Sequence, residues 1–284
     1  ICQAMGKMIS TMLFMAAALI NIEKKLDTIQ QTQEEILQFL EEKGRATLQG
    51  NLNVLGDVAR NFKYNWKNEK YKTNKHIIVQ QIKKEAEASI ILYREQIGKR
   101  LNKRSLIHSD LEVRSTLKKL QAQFQDYQLA LYLFAYSAFL EVMLLGNFSE
   151  GYLNNVEQSI TDYSYQYRTL YTKCYDLMKD YSKSSVQAGI LSGLSAASKF
   201  MGNAIAKVPV ISKSQLDENL IEAGSLLGTQ GEQRAVVALS GLIQTRANVT
   251  VPFVENIRVI NNLYNKPVQY RIDGDSIYVQ QVAD

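Results

Sequence analysis

The sequence has few of the residues on which turn-rich folds and most enzyme sites depend. Its 284 residues include 15 glycines, three prolines, two cysteines and two histidines. Because tight turns rely on glycine and proline, this composition argues against an all-β fold with many turns. The shortage of cysteine and histidine argues against a Cys/His zinc cage and leaves room for one disulfide at most.

Sequence motifs that carry catalytic chemistry are also missing. The chain contains no G-x-x-x-x-G-K-[ST] phosphate loop, no G-x-G-x-x-G after a strand and no H-E-x-x-H metal motif. Cys174 could pair with His76 or His108, but it falls on an apolar helix face where a buried, reduced thiol is expected. We therefore expect a protein that is not an enzyme, with no catalytic residue, metal ligand, cofactor or small-molecule substrate.

The dominant pattern in the sequence is a heptad repeat near the N-terminus. Side chains at alternating spacings of three and four residues form the a/d seam of a helix that packs on a partner helix. The seam consists of Met5, Met8, Met12, Met15, Leu19, Ile22, Leu26, Ile29, Gln33, Ile36 and Leu40. Its one polar member, Gln33, is the kind of residue that fixes register and partner number. Such a helix would be roughly 54 Å long, which predicts an elongated bundle or a contact with another chain.

Helical periodicity continues through most of the remaining chain. Helices are predicted over 77–104 and 109–145, the second ending at Gly146. The next helix carries another unbroken heptad seam, formed by Leu153, Val156, Ile160, Tyr163, Tyr167, Leu170, Cys174, Leu177 and Tyr181. A further helix starts at Pro252, and alternating apolar residues on both sides of Gly274 predict a β-hairpin.

We predict an all-α fold from these patterns. The expected architecture is an elongated bundle of long antiparallel helices with coiled-coil-like heptad seams and a small C-terminal β-hairpin. Composition shifts near residue 186, which suggests a long-helix bundle over 1–185. Residues 186–284 would then hold a small-residue apolar helix, shorter helices and the hairpin. A single domain is the alternative.

The run of residues 129–145 is apolar on nearly every side of its predicted helix. Such a helix is either buried by protein all round or placed in lipid. Its 17 residues are at the short limit for a membrane span, and Glu141 lies inside the run. Burial in the centre of the bundle is the favoured interpretation.

One segment of the chain is strongly basic. Residues 60–104 hold 13 basic and 4 acidic side chains, and aromatic residues interleave with the lysines at the start of this segment. The mixed surface consists of Lys63, Tyr64, Trp66, Lys67, Lys70, Tyr71, Lys72 and Lys75. A solvated loop with aromatic side chains anchored in the core is the favoured interpretation. An acidic membrane or protein surface is the main alternative partner, and nucleic acid is less favoured because no recognition motif accompanies the charge.

Residues 186–211 form an apolar stretch rich in glycine, alanine and serine. Small residues one helical turn apart allow close approach of a second helix. The positions that would enter a membrane are Gly189, Gly193, Ala197, Met201, Gly202 and Ile205. In broad plan, long helices with a concealed apolar segment, the chain resembles the helical pore-forming toxins. That resemblance implies a segment released on contact with a bilayer.

The sequence thus favours a non-enzymatic helical assembly or partner-binding protein that acts through its long heptad seams. Its partner would be a second copy of the chain or another helical protein. The first alternative is a membrane-inserting protein that uses residues 186–211. The second is a protein that binds nucleic acid or an acidic surface through residues 60–104. A soluble form is expected, and the compartment is left open between the cytoplasm and a secreted location.

Overall fold

The computed structural model describes residues 46–102, 110–182 and 248–266, together with the backbone of two strands at 268–273 and 276–281. The described part confirms the predicted all-α class. Its helices are α1 Ala46–Asn65, α2 Glu69–Asn102, α3 Asp110–Leu145, α4 Glu150–Ser182 and α5 Val251–Asn265.

Helix boundaries follow local capping chemistry. α3 ends at Leu145 because Gly146 adopts a left-handed conformation, with φ of 62°, and its N–H donates to the Val142 carbonyl. Ahead of α4, the side chain of Asn147 accepts hydrogen bonds from the N–H and hydroxyl of Ser149. The same arrangement ahead of α5 joins Asn248 to Thr250. These asparagine turns orient the chain as it enters each helix.

Helix α2 begins earlier than the sequence pattern predicts. The basic segment before residue 77 was expected to be a loop or a helix end, but α2 already starts at Glu69. The side chain of Asn68 accepts a hydrogen bond from the N–H of Tyr71 at 3.1 Å and so satisfies one of the free donors at the helix start. Part of the basic segment is therefore held on a regular helix.

The described residues divide into two compact units. Unit 1 contains 46–91, 129–165 and 248–281, and unit 2 contains 92–102, 110–128 and 166–182. Each of the three long helices α2, α3 and α4 contributes one part to each unit. The predicted boundary near residue 186 lies outside the described residues.

The centre of unit 1 is the apolar run on α3. Every residue from Leu129 to Leu144 is buried, including the polar Ser137 and Glu141. Phe253 of α5 is fully buried, and its ring lies 5.2 Å from the rings of both Tyr132 and Tyr136. Helix α5 is thus attached to the run by aromatic packing, which adds to the stabilisation from buried area.

Unit 1 also shows the helix directions. Short connections join α1 to α2 and α3 to α4, and both pairs are antiparallel: Tyr71 contacts Val58 while Asn51 contacts Glu85. α5 runs antiparallel to α4, since Arg258 bonds Glu157 at 2.7 Å and Asn261 bonds Asn154. These antiparallel pairs agree with the prediction, whereas α5 runs parallel to α3, since Phe253 contacts Tyr136 and Asn265 contacts Phe148.

Unit 2 is packed around aromatic residues of α3 and α4. Phe124 makes edge-on contacts with Tyr167 and Tyr171 at centroid distances of 5.7 and 5.6 Å. Cys174 is fully buried beside them on the same face of α4. Of the predicted seam of α4, Tyr167 and Cys174 are buried in this unit and Leu170 is half-buried, while the buried Tyr171 lies beside the seam.

One described helix is long and apolar enough, by length and composition, to cross a membrane. This stretch is Lys118–Leu145, and 94% of its apolar window is buried inside the protein. A core helix of a soluble protein meets the same criterion. In this structure the stretch is buried by its neighbours, in agreement with the favoured interpretation of residues 129–145.

The two strands lie near the C-terminus. β1 Val268–Asp273 pairs antiparallel with β2 Ser276–Gln281, with Val268 opposite Gln281 and Asp273 opposite Ser276. The side chains that would show where this hairpin docks lie outside the described residues. So do the heptad seam of residues 5–40 and the candidate membrane segment of residues 186–211.

Candidate partner-binding surfaces

The predicted basic and aromatic surface is formed by the end of α1, the turn at 66–68 and the start of α2. Lys63, Lys67 and Lys70 are exposed, and Tyr64 is 75% exposed. The Nζ of Lys63 lies 5.2 Å from the ring centroid of Tyr64, and the Nζ of Lys67 lies 4.7 Å from that of Trp66. These cation–π contacts keep positive charge beside the aromatic rings.

Other members of this surface are anchored to the helices. The Tyr71 hydroxyl donates to the Val58 carbonyl at 3.4 Å, and Lys72 pairs with Glu69 at 2.7 Å. Burial and the nearby Asp57 carboxylate raise the pKa of Tyr71. Lys75 lies half-buried over the Tyr71 ring, at 5.8 Å. The surface is therefore divided into an exposed tip and an anchored base on α2.

A polar cluster inside unit 1 surrounds Glu141. Its carboxylate accepts hydrogen bonds from the Nζ of Lys83 at 2.5 Å and the Nε2 of Gln80 at 3.2 Å, and the Nε2 of His76 lies 3.4 Å away. Burial by itself would raise the pKa of Glu141. The hydrogen bond and charge of Lys83, helped by Gln80 and His76, outweigh burial and hold that pKa below its usual value.

The Glu141 cluster resembles a structural link more than a catalytic site. All three donors lie on one face of α2, so the cluster joins α2 to the apolar run of α3. The carboxylate also affects Tyr152: burial and the charge of Glu141 raise the pKa of Tyr152 to about 12. The Lys83 amine of the cluster is held in an ion pair with Glu141 at 2.5 Å, which fits a link between α2 and α3.

Cys174 and a cleft between α4 and α5 are two further candidate sites in the described part. Burial raises the pKa of the Cys174 thiol to about 12, which leaves it protonated and a poor nucleophile at neutral pH. Within residues 46–102, 110–182 and 248–266, no three His, Cys, Asp or Glu side chains form a group that could hold a metal ion. A shallow cleft between α4 and α5 is lined by polar side chains, of which Arg258 and Glu157 bond each other.

The structure adds one surface that the sequence pattern did not single out. Helix α2 buries Val79, Ile82, Ala86 and Ile90 on one face, as predicted, yet it is also apolar on a second face. The residues of this outer strip are Ile77, Ile78, Ile91 and Leu92, which are 62%, 40%, 40% and 50% exposed. The repeat of an apolar pair after fourteen residues, or two heptads, is the sequence signal that could have revealed it.

Comparisons of the chain with protein-family models, with curated proteins and with solved structures found no match.

Proposed function

We propose that the protein is a non-enzymatic helical assembly protein that binds a partner helix along the outer strip of α2. The observation that carries this proposal is the exposure of Ile77, Ile78, Ile91 and Leu92 on a helix whose opposite face is already buried. A surface helix needs one apolar stripe to pack on its own domain. A second stripe at heptad spacing is typical of a helix that packs on another helix.

The strip offers enough apolar surface to contribute to association. Full burial of an isoleucine side chain stabilises by roughly 1.5–3 kcal/mol. Since Ile77 and Ile91 are 62% and 40% exposed, each could contribute about 1 kcal/mol when covered. The strip consists of two apolar pairs, and Lys84 and Glu85 lie between them at the intervening heptad positions. Charges of both signs within such a seam help to select the partner and its direction.

We infer that the occupant is the heptad seam of residues 5–40 from a second copy of the chain. This seam is apolar at ten of eleven positions and begins with four methionines, whose flexible side chains adapt to an irregular apolar surface. Residues 77–92 of α2 span about 24 Å, so a seam of roughly 54 Å is long enough to cover them. Exchange between copies would make the protein an oligomer.

The test is to replace Ile77 and Ile91 together by glutamine. We expect the unmodified protein to self-associate and the double variant to dissociate at about 700-fold higher concentration, because roughly 2 kcal/mol of apolar burial is lost per strip and an exchanged dimer contains two strips. Sedimentation velocity over a range of concentrations measures this shift. The unfolding midpoint of the dissociated protein should stay unchanged, since both side chains lie on the outer face.

A matched control is Tyr165→Gln, which removes an equally exposed apolar side chain from α4. It should leave self-association unchanged. An unmodified protein that sediments as a monomer throughout, or a Tyr165 variant that dissociates as much as the double variant, would rule out the strip as the assembly surface.

Membrane insertion is the second candidate function. It is favoured by the Lys118–Leu145 stretch, which has the length and composition of a membrane span. Opposing it, the stretch is buried and Glu141 within it is bonded to Lys83 of α2, so insertion would require both the packing and this ion pair to be broken. Exposing a charged carboxylate to the bilayer interior costs several kcal/mol.

Dye release from loaded liposomes separates the two candidates. We expect the folded protein to cause no leakage from either neutral or anionic vesicles, because its apolar helix is already covered. Leakage that rises with protein concentration, and that also occurs in physiological salt, would favour membrane insertion instead. A heat-unfolded sample provides the control for leakage caused by exposed core residues alone.

A further inference from the structure

Three chain segments of unit 1 meet at one end of this unit. The α1–α2 turn and the end of α3 lie at the same level, because α2 and α3 are antiparallel and His76 of α2 lies beside Glu141 near the end of α3. The end of α5 joins them, since the Asn265 amide donates to the Phe148 carbonyl in the α3–α4 turn at 2.9 Å. We call this the basic end of unit 1.

Exposed apolar and aromatic side chains come together at the basic end. Tyr64 is 75% exposed, Leu145 is 47% exposed and Tyr264 is 49% exposed, each from a different helix. Leu145 and Tyr264 are far from the basic segment in sequence. Their position shows that the aromatic and apolar character of this surface extends beyond the α1–α2 turn.

Lysine surrounds these side chains. The basic residues at this end are Lys63, Lys67, Lys70, Lys72, Lys75 and Lys266. The acidic residues at this end are Glu69, which is paired with Lys72 at 2.7 Å, Glu141, which is paired with Lys83, Asp57, whose carboxylate lies near Tyr71, and Glu150 at the start of α4. The balance is positive, so the surface is complementary to an anionic partner.

We propose that the basic end of unit 1 is a docking surface for an anionic lipid bilayer. Lysine with tyrosine or tryptophan is the composition that proteins place at the membrane interface, where the cation meets headgroups and the ring lies at the acyl boundary. A surface built from three chain segments suits a broad partner. This function is independent of the α2 strip and requires no insertion of a helix.

The geometry of the rings favours lipid over nucleic acid. Single-stranded nucleic acid binds by stacking bases on open aromatic faces. Here the Lys67 ammonium lies 4.7 Å from the Trp66 ring centroid and the Lys63 ammonium lies 5.2 Å from that of Tyr64, so one face of each ring is already occupied by a cation. Trp66 is in addition half-buried.

Flotation of the full-length protein with vesicles tests the proposal. We expect binding to vesicles of phosphatidylcholine mixed with phosphatidylserine, weak binding to phosphatidylcholine alone, and loss of binding at high salt. Replacing Lys67 and Lys70 together by glutamine should lower the partition coefficient about 25-fold, or about fivefold for each exposed lysine. Replacing Tyr64 and Tyr264 together by serine should lower it about fivefold.

Matched controls separate this surface from general charge and apolarity. Lys118→Gln with Lys119→Gln removes the same charge from exposed positions of α3 in unit 2, and Tyr165→Ser removes an exposed ring from α4. Both controls should bind vesicles as the unmodified protein does. Circular dichroism melts should be unchanged in the lysine variants, whose altered side chains are exposed, and a small decrease is expected for Tyr264→Ser because that ring packs on Phe148 at 5.5 Å.

Three results would overturn the proposal. The first is an absence of flotation with anionic vesicles at low salt. The second is an equal loss of binding in the Lys67/Lys70 and Lys118/Lys119 variants, which would indicate non-specific attraction. The third is tighter binding to a single-stranded oligonucleotide than to vesicles, abolished by Lys67→Gln with Lys70→Gln, which would assign the surface to nucleic acid.

Discussion

Replacing Lys83 by methionine is expected to lower the free energy of unfolding by about 3 kcal/mol. The change leaves the Glu141 carboxylate buried in the apolar run of α3 without its cation. Gln80 and His76 remain as hydrogen-bond donors, but neither carries the permanent charge that offsets the loss of hydration. Urea unfolding followed by circular dichroism at pH 7 measures the difference.

The double variant Lys83→Met with Glu141→Leu is the control for this prediction. Removing both charges should restore most of the lost stability, because a buried ion pair can be replaced by apolar side chains of similar volume at little net cost. If the free energy of unfolding of Lys83→Met lies within about 0.5 kcal/mol of that of the unmodified protein, the stability of the buried Glu141 carboxylate does not depend on Lys83.

Because Glu141 is ionisable, the stability lost in Lys83→Met should depend on pH. The folded protein holds the pKa of Glu141 below its ordinary value, so this carboxylate adds stability above the unfolded pKa of about 4.3. That contribution is lost as the pH falls through the lower, folded pKa. The stability difference between the unmodified protein and Lys83→Met should therefore shrink in acid, where Glu141 is protonated in both. Measuring both proteins in a His76→Gln background removes the neighbouring imidazole, and Tyr152, whose pKa is raised to about 12, does not ionise in this range.

Replacing Phe253 by alanine is expected to lower the free energy of unfolding by about 4 kcal/mol. The ring is fully buried and contacts Tyr132, Tyr136 and Phe139 on the apolar run. Removing it leaves a cavity between α5 and α3, because three aromatic neighbours cannot all move to fill the space. The same urea unfolding experiment measures the loss.

Arg258→Ala is the matched control on the same helix. Arg258 is paired with Glu157 at 2.7 Å, but its side chain is 59% exposed, so the loss should stay below about 1 kcal/mol. An equal loss of unfolding free energy in Phe253→Ala and Arg258→Ala would mean that surface contacts, and not the buried Phe253 ring, attach α5 to the unit. A loss below about 1 kcal/mol for Phe253→Ala would show that α5 contributes little to the stability of unit 1.

Much of the helical fold could be predicted because its signals are local. The end of α3 at Gly146, the start of α5 around Pro252 and the buried face of α4 all follow from residues adjacent along the chain or one helical turn apart. The start of α2 was missed because one side chain, Asn68, caps the helix ahead of its apolar stripe. Such a cap has no periodicity and is easily taken for part of a loop.

Less of the candidate surfaces could be predicted. The lysines and aromatic residues of the basic segment were identified, but Tyr64 is 75% exposed, whereas the favoured interpretation anchored the aromatic side chains of this segment in the core. Leu145 and Tyr264 were not identified, because a surface assembled from three segments has no signature in any one of them. The outer strip of α2 was also missed. Whether Ile77 and Ile91 are exposed depends on which face of α2 is buried, and their residue type alone does not show this.

The sequence by itself determined that the described chain is helical and which face of most helices is apolar, because helix periodicity and capping are properties of neighbouring residues. Only the tertiary structure decided that Glu141 is paired with a lysine 58 positions earlier, that Phe253 holds α5 to the apolar run, and that an apolar strip of α2 stays exposed. Each depends on which helices become neighbours. That choice is made by the packing of whole helix faces, where burial and charge compensation are shared among residues far apart in the chain.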